Sequence, residues 1–318
     1  MNKKKAFLIA SGLITTTALV STAGSVQYIH LLTQCKKLPY VPKRYLKRIG
    51  EEDMIKINEI AAKNQWLKEQ KMEKIQIQSY DGLMLTGHYL PTENAKRTLI
   101  LVHGWHGNWI HDFGYIAEFL HNEHNNLLLI DQRCHGESEG KYIGLGVLER
   151  YDVLAWADYM AKRLEGSMPL YLAGVSMGAT SVMMASSLEL PSEVKGIIAD
   201  CGFTSPEAIV SCIMNAKRKL PGKFLIEAAS ALSKLKAGYR YNEYSTLDAV
   251  QNTHIPILFI HGTADRFVPM KMTLENFDAC TSEKELLLAE GAGHGMSYFD
   301  NTEQYEKKLR AFFEKHDK

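Results

Sequence analysis

Leu170-Tyr171-Leu172-Ala173-Gly174-Val175-Ser176-Met177-Gly178 is an apolar run that ends in a serine held between two glycines. A chain that leaves a strand and enters a helix through Gly-x-Ser-x-Gly turns very sharply. Side chains at the glycine positions would collide with neighbouring backbone, and the turn lifts the serine oxygen clear of the sheet edge. The stretch therefore predicts a strand at 170–173, a nucleophile elbow at Ser176 and a helix after it. Five residues also fit a Gly-Ser turn of no chemical interest, so the flanking segments have to decide.

Those segments alternate between two kinds of pattern. Lys74 to Ser79 and Met84 to Leu90 alternate with period two around a Tyr80-Asp81-Gly82 turn, which predicts a half-buried hairpin. After it the apolar runs become continuous: Thr98–Val102, Leu127–Ile130, Leu170–Ala173, Gly196–Ala199, Ile257–Ile260 and Glu285–Ala289. Short unbroken runs bounded by Gly, Pro and charge suit strands covered on both faces, as in parallel sheets. Helical segments such as Glu149 to Leu164 fill the gaps, so the fold class is α/β: a doubly wound, mostly parallel eight-stranded sheet. In such sheets active residues gather where strands deliver their C-terminal ends.

One long interval, from Asp200 to Ile257, has no strand pattern. Ser205-Pro206-Glu207 predicts a helix start, with Ser205 as cap and proline in the first turn. A second helix is expected from about Gly222 to Lys236, with Phe224, Ala228, Ala231, Leu232 and Leu235 on one stripe. Such a stripe ordinarily faces a core, and these helices can fold over the strand ends as a small cap at about 203–252.

The N-terminus differs from the rest. Lys3, Lys4 and Lys5 precede the apolar stretch Ala6–Val20, followed by small residues and a weaker apolar tail to Leu32. Residues 1–32 read as a secretory signal or as an uncleaved membrane anchor. The expected location is secreted or anchored with the folded domain outside the cytoplasm. A cytoplasm-facing anchored form is the alternative, because Lys36, Lys37, Lys43, Arg44, Lys47 and Arg48 follow the span. Residues 33–72 read as a charged arm with a helix, and 73–318 as the catalytic domain.

Composition excludes several functions. Thirty-seven basic against 36 acidic residues leave a net charge of +1 over 318 residues, so no global field recruits nucleic acid. The five cysteines show no CxxC spacing and read as buried small hydrophobes, with neither a disulfide frame nor a metal site expected. No cofactor is expected.

Further motifs fall where an elbow serine needs them. His103-Gly104-Trp105-His106-Gly107 follows the first continuous run. An oxyanion hole on this plan takes the N–H after the nucleophile and one from this loop, which assigns Met177 and Trp105. His103 reads as structural. Asp265 lies just past the run 257–260, and His294 just past 285–289. Serine needs an imidazole to remove its proton, and a carboxylate must hold that imidazole in the right tautomer. Ser176, Asp265 and His294 thus stand at successive strand ends in the order Ser, Asp, His.

On these residues the chain from about 73 to 318 resembles the α/β-hydrolase superfamily, and within it the serine aminopeptidase-like and lysophospholipase/esterase-like hydrolases. The motifs are HGWHG at 103–107, Asp131-Gln-Arg133-Cys-His135-Gly136-Glu-Ser138, GVSMG at 174–178, GTADRFVP at 262–269 and the terminal GAGH. The resemblance implies that Asp131, Arg133, Gly136 and Ser138 form a structural turn, and that Asp200 is the alternative position for the acid. It further implies a serine hydrolase whose substrate is a small-molecule carboxylic ester, thioester or amide, with an ester preferred. The alternatives are an aminopeptidase-like amidase, an acyltransferase on the same triad, and a catalytically silent membrane-tethered binding module.

Overall fold

The computed structural model describes residues 26–27, 33–35, 51–217 and 222–317. Its centre is an eight-stranded sheet whose middle strands carry continuous apolar runs. The strands are β1 (Glu73–Gln78), β2 (Met84–Leu90), β3 (Arg97–Val102), β4 (Asn125–Ile130), β5 (Leu170–Val175), β6 (Val194–Asp200), β7 (Ile257–Gly262) and β8 (Lys284–Ala289). Their order is β1-β2-β4-β3-β5-β6-β7-β8. The β1–β2 hairpin and the β2–β4 pair are antiparallel, and all later pairings are parallel.

Alternation along the strands divides the core in two. Ile100, Val102, Leu128, Ile130 and Leu172 point to one face, which is covered by α3 (Glu149–Arg163) and α4 (Met177–Ala185). Leu99, Leu101, Leu127, Leu129 and Tyr171 point to the other, under α2 (Trp109–Asn122) and α10 (Thr302–His316). β3, β4 and β7 are buried at every position because helices cover both faces. The arm helix α1 (Glu51–Glu69) lies across α2: Leu67 joins the second layer, and Asn64 fits against Gly114, where an added Cβ would come within 2.4 Å of Asn64 Oδ1.

The interval after β6 folds as α5 (Pro206–Lys217), α6 (Gly222–Ala237) and α7 (Thr246–Gln251). Ser205 Oγ accepts the Ala208 N–H at 3.1 Å, the expected cap. A third apolar cluster sits beneath these helices and includes Ile143, Met177, Phe203, Leu225, Ile226, Tyr239 and Met272. The stripe expected to face a core is only partly covered, with Ala228 and Leu232 half-buried and Phe224, Ala231 and Leu235 exposed. α6 buries Leu225, Ile226, Ala229, Ser230 and Ser233, whereas Phe224 is 71% and Leu235 79% exposed. Helical periodicity identifies a helix with two faces. Which face meets protein depends on what lies across from it, and here small residues give the closer approach.

A second correction concerns the cysteines. Cys35 and Cys134 form a disulfide across a sequence separation of 99. The arm is also paired there by backbone: Ile143 N–H donates to Thr33 O (2.7 Å), and Gln34 bridges Tyr142 antiparallel. The cysteine pattern carries no cue to this pairing. The remaining three cysteines are free, with Cys201 and Cys280 buried. Most of residues 1–32 lie outside the described residues. Among the described residues no helix is long and apolar enough to cross a membrane.

α8 (Met270–Ala279) and α9 (Ser297–Asp300) complete the set; α8 follows the loop after β7, and α9 the loop after β8.

Candidate active site

Parallel register brings the strand ends to one edge. Val102 pairs with Gly174, Val175 with Asp200, Asp200 with Ile260, and Gly262 with Ala289. The loops carrying residues 103–108, Ser176, 263–269 and 290–296 therefore leave the sheet side by side.

Ser176 is the hinge between β5 and α4, with φ 56° and ψ −117°. A non-glycine residue there is strained and persists because its surroundings over-determine it. Ser176 N–H donates to Asp200 O (2.8 Å), and Ser176 O accepts the Thr180 N–H (3.0 Å). The two glycines are required by contact. A Cβ at Gly174 would lie 2.3 Å from Gly178 backbone, and one at Gly178 would lie 1.8 Å from Val102 O.

Ser176 Oγ–H donates to His294 Nε2 at 2.9 Å, and His294 Nδ1–H donates to Asp265 Oδ2 at 2.7 Å. The Asp265 side chain is fully buried. Its Oδ1 accepts the N–H groups of Phe267 (2.8 Å) and Val268 (3.0 Å), and His261 Nε2 stands 3.3 Å from Oδ2. Burial alone would raise this carboxyl, but hydrogen bonds from His261, His294 and the Phe267 amide outweigh it and hold it far below the usual carboxylate range. Asp265 is thus an ionised acceptor with all its partners in place. Asp200, the other acid considered, accepts from Ser297 Oγ (2.8 Å), and burial raises its pKa.

The histidine and acid loops are joined to each other. Ala264 N–H donates to Ala292 O (3.0 Å), and Gly291 N–H donates to Thr263 Oγ1 (2.8 Å). Tyr115 OH donates to Gly295 O (2.7 Å), which fastens the residue after His294 to α2. The Phe267 ring packs edge-on against His294 at 5.0 Å between centroids.

The 103–107 loop is fixed from below. His103 is fully buried; its ring joins Gly104 O (2.8 Å) and accepts the Gln132 N–H (3.2 Å). Asp112 Oδ2 accepts the Gly104 N–H (2.6 Å), and its Oδ1 accepts from His111 Nδ1 (2.6 Å). His106 N–H donates to His135 Nε2 (3.0 Å), while His135 Nδ1–H donates to Arg133 O (2.9 Å). Burial pushes His135 down to about 3, so the ring is neutral and able to accept. A Cβ on Gly104 would stand 3.3 Å from Ser176 Cβ, Trp105 lines the same cavity as Ser176, and Met177 begins α4 immediately after the serine.

The side-chain hydrogen bonds of Asp131, Arg133 and Ser138 go to partners other than Ser176. Arg133 is bidentate to Asp152 (2.6 and 2.7 Å) and also bonds Asp81 (3.0 and 3.2 Å). Asp131 O accepts from Ser138 Oγ (2.6 Å), and its Oδ2 accepts the Glu137 N–H (3.0 Å).

These loops enclose a cavity of about 440 Å³, lined by Gly104, Trp105, Asn108, Ser176, Phe267 and His294 among others. Among the described residues, Cys201, Asp265 and His294 bring potential metal-ligating atoms within 4.8 Å of one another, but Asp265 and His294 already bond each other there. The sequence reading missed Asp112, His135 and His261, which act on the site through other residues. His261 sits at the end of β7, one turn before the acid, where its position could have marked it. Asp112 and His135 carry no such signal.

A central parallel sheet preceded by an antiparallel hairpin, with a strained serine between β5 and its helix, defines the α/β-hydrolase class of protein. A family model described as "Serine aminopeptidase, S33" matches residues 93–252, and the chain belongs to that family. The uncharacterized protein YqkD of Bacillus subtilis is 26% identical over 312 residues, covering 98% of this chain and 97% of that protein. The α/β hydrolase domain-containing protein WAV2 of Arabidopsis thaliana is 23% identical, with coverage of 77% and 79%. Among solved structures, the Pyrococcus furiosus esterase Pf2001 has a TM-score of 0.61 at 22% identity, covering 78% of this chain and 94% of its own. The Pyrococcus horikoshii acylaminoacyl peptidase has a TM-score of 0.58 at 18% identity, covering 80% and 43%. At these identities the structures bear on the fold.

Proposed function

We propose that the protein is a cofactor-independent serine hydrolase that cleaves carboxylic esters through an acyl-enzyme. The observation that carries this is the hydrogen-bonded line from Ser176 Oγ through His294 to Asp265 at the wall of a cavity. In this reading Ser176 Oγ attacks the carbonyl carbon as His294 Nε2 takes its proton, and Asp265 stabilises the imidazolium. The oxyanion receives hydrogen bonds from the Trp105 and Met177 amides, each worth about 3–4 kcal/mol in comparable sites. Collapse expels the alcohol with the proton from His294, and water, activated by the same imidazole, releases the acid.

Ester is preferred to peptide because of what the cavity offers a substrate ammonium. Asp112 is the one carboxylate among its described lining residues, and both its oxygens already accept hydrogen bonds. The disulfide supports export as well, since such bonds persist in oxidising compartments. In this reading the domain lies on the outer side of the membrane, with residues 1–32 as signal or anchor.

A fluorophosphonate probe should label the wild type and not Ser176→Ala. Labelling of Ser176→Ala, or none of the wild type, refutes the nucleophile. A panel of p-nitrophenyl esters beside aminoacyl anilides then separates the bond types, and turnover of the anilides in preference to every ester overturns the ester assignment.

A further inference from the structure

The outer face of α6 is the largest mismatch between chemistry and environment in the described structure. Phe224 and Leu235 are eleven positions apart, about three turns of helix, and therefore lie on one side some 16 Å apart along the axis. Ala231 is exposed between them, and Lys223, Lys236 and Arg240 are exposed around them, with Lys234 paired to Glu243 and Glu227 the acid on the helix's exposed side. An apolar line flanked by cations suits a membrane interface carrying anionic lipid.

The path of the arm points to the same occupant. Thr33, Gln34 and Cys35 are fastened to the 134–143 loop by backbone pairing and the disulfide. Tyr239, just beyond α6, donates its OH to Ile143 O (2.8 Å) in that same loop. Val26, the beginning of the described chain, packs against the cluster that holds Leu225 and Ile226 of α6 and also Trp105. The chain that follows the apolar segment 6–25 in sequence therefore meets the domain at the cap, and Trp105 links that cap to the wall of the cavity.

We propose that the outer face of α6 rests on the bilayer into which the N-terminal segment inserts, so that the cavity opens beside the membrane and takes its acyl substrates from amphiphilic esters held there. The substrate half of this proposal rests on the hydrolase reading above; the docking half does not.

The test uses the full chain reconstituted in phosphatidylcholine–phosphatidylglycerol vesicles. An environment-sensitive fluorophore is attached to one added cysteine, Phe224→Cys, Leu235→Cys, Leu13→Cys or Ser167→Cys, with labelling of the unsubstituted chain subtracted. Ser167 is exposed ahead of β5, at the sheet end opposite the elbow. Spin-labelled lipid should remove roughly half the emission at 13, 224 and 235 and leave 167 unchanged. Quenching at 13 with 224 and 235 behaving like 167 overturns the docking face, its cover then being a second copy, the chain itself or water. No quenching at 13 overturns the anchoring from which the proposal starts. In the same vesicles, Phe224→Ser with Leu235→Ser should lower hydrolysis of a bilayer-dispersed long-chain ester on the order of tenfold and leave p-nitrophenyl acetate turnover unchanged. Equal effects on both esters refute the substrate half. Quenching as expected with no hydrolysis of either ester by any form refutes the hydrolase reading and leaves the docking face standing.

Discussion

Replacing Asp265 by Asn changes one atom and sets two demands of the site against each other. The carboxylate presents Oδ1 to the Phe267 and Val268 amides and Oδ2 to His294 Nδ1–H and His261. An asparagine has one acceptor and one donor end. If its oxygen keeps the two amides, its NH₂ faces His294, and Nδ1 must become an acceptor. The proton then sits on Nε2, aimed at Ser176, and the imidazole can no longer serve as base. If the amide flips, its NH₂ meets two backbone N–H groups, leaving buried donors unsatisfied at about 1–3 kcal/mol each. The first arrangement is therefore favoured, with the fold intact and the tautomer wrong. Loss of the correct tautomer in a Ser-His-Asp site costs about 10⁴ in kcat, or about 5 kcal/mol of barrier. The assay is steady-state and burst kinetics on p-nitrophenyl acetate for Asp265→Asn and Asp200→Asn, with thermal unfolding to confirm folding. Asp265→Asn within tenfold of wild type, with Asp200→Asn inactive, would refute the assignment of the acid.

Other expectations follow from contacts and burial. Gly178→Ala puts a methyl 1.8 Å from Val102 O and should cost about 3 kcal/mol or more, seen as insoluble protein or a large drop in Tm; a normal Tm with full probe labelling contradicts the packing. Cys35→Ser should lower stability by about 2–4 kcal/mol in urea unfolding, and reductant should produce the same loss in the wild type but none in the variant. Burial holds His135 neutral when folded, pushed down to about 3 against about 6.5 for a free imidazole. The unfolded chain binds the extra proton between those values, so stability falls as pH drops from 6.5 toward 3, by at most about 4–5 kcal/mol from this group. His135→Gln should flatten that slope in urea midpoints taken across the window; an unchanged slope places the acid sensitivity elsewhere.

What the sequence made legible shared one property: each feature was local, or repeated at a fixed relation to strand ends. The continuous apolar runs announced strands buried on both faces, and Gly174 and Gly178 announced a close approach that the structure locates at Val102 O. Ser176, Asp265 and His294 could be grouped as candidates because each follows a strand, and the structure hydrogen-bonds them in one line. The failures involve partners chosen across space. Nothing around Cys35 points to Cys134, and no pattern marks Asp112 as the acceptor for Gly104 or His135 for His106. The α6 stripe failed for a related reason: periodicity defines a line of apolar side chains, while the direction it faces is set by α6's packing on the cap cluster.

Ser176 and the walls around it belong to different parts of the molecule. The elbow around Ser176 is held by β3, β5 and β6: Gly178 lies against Val102 O and Gly174 with no room for a side chain, and Ser176 N–H bonds Asp200 O. The cap helices α5 and α6 carry none of these contacts. New specificities can therefore arise by exchanging the cap while the reacting groups stay where they are, and a chimera carrying a foreign 203–252 segment should inherit its donor's acyl preference with the labelling chemistry of Ser176 undisturbed.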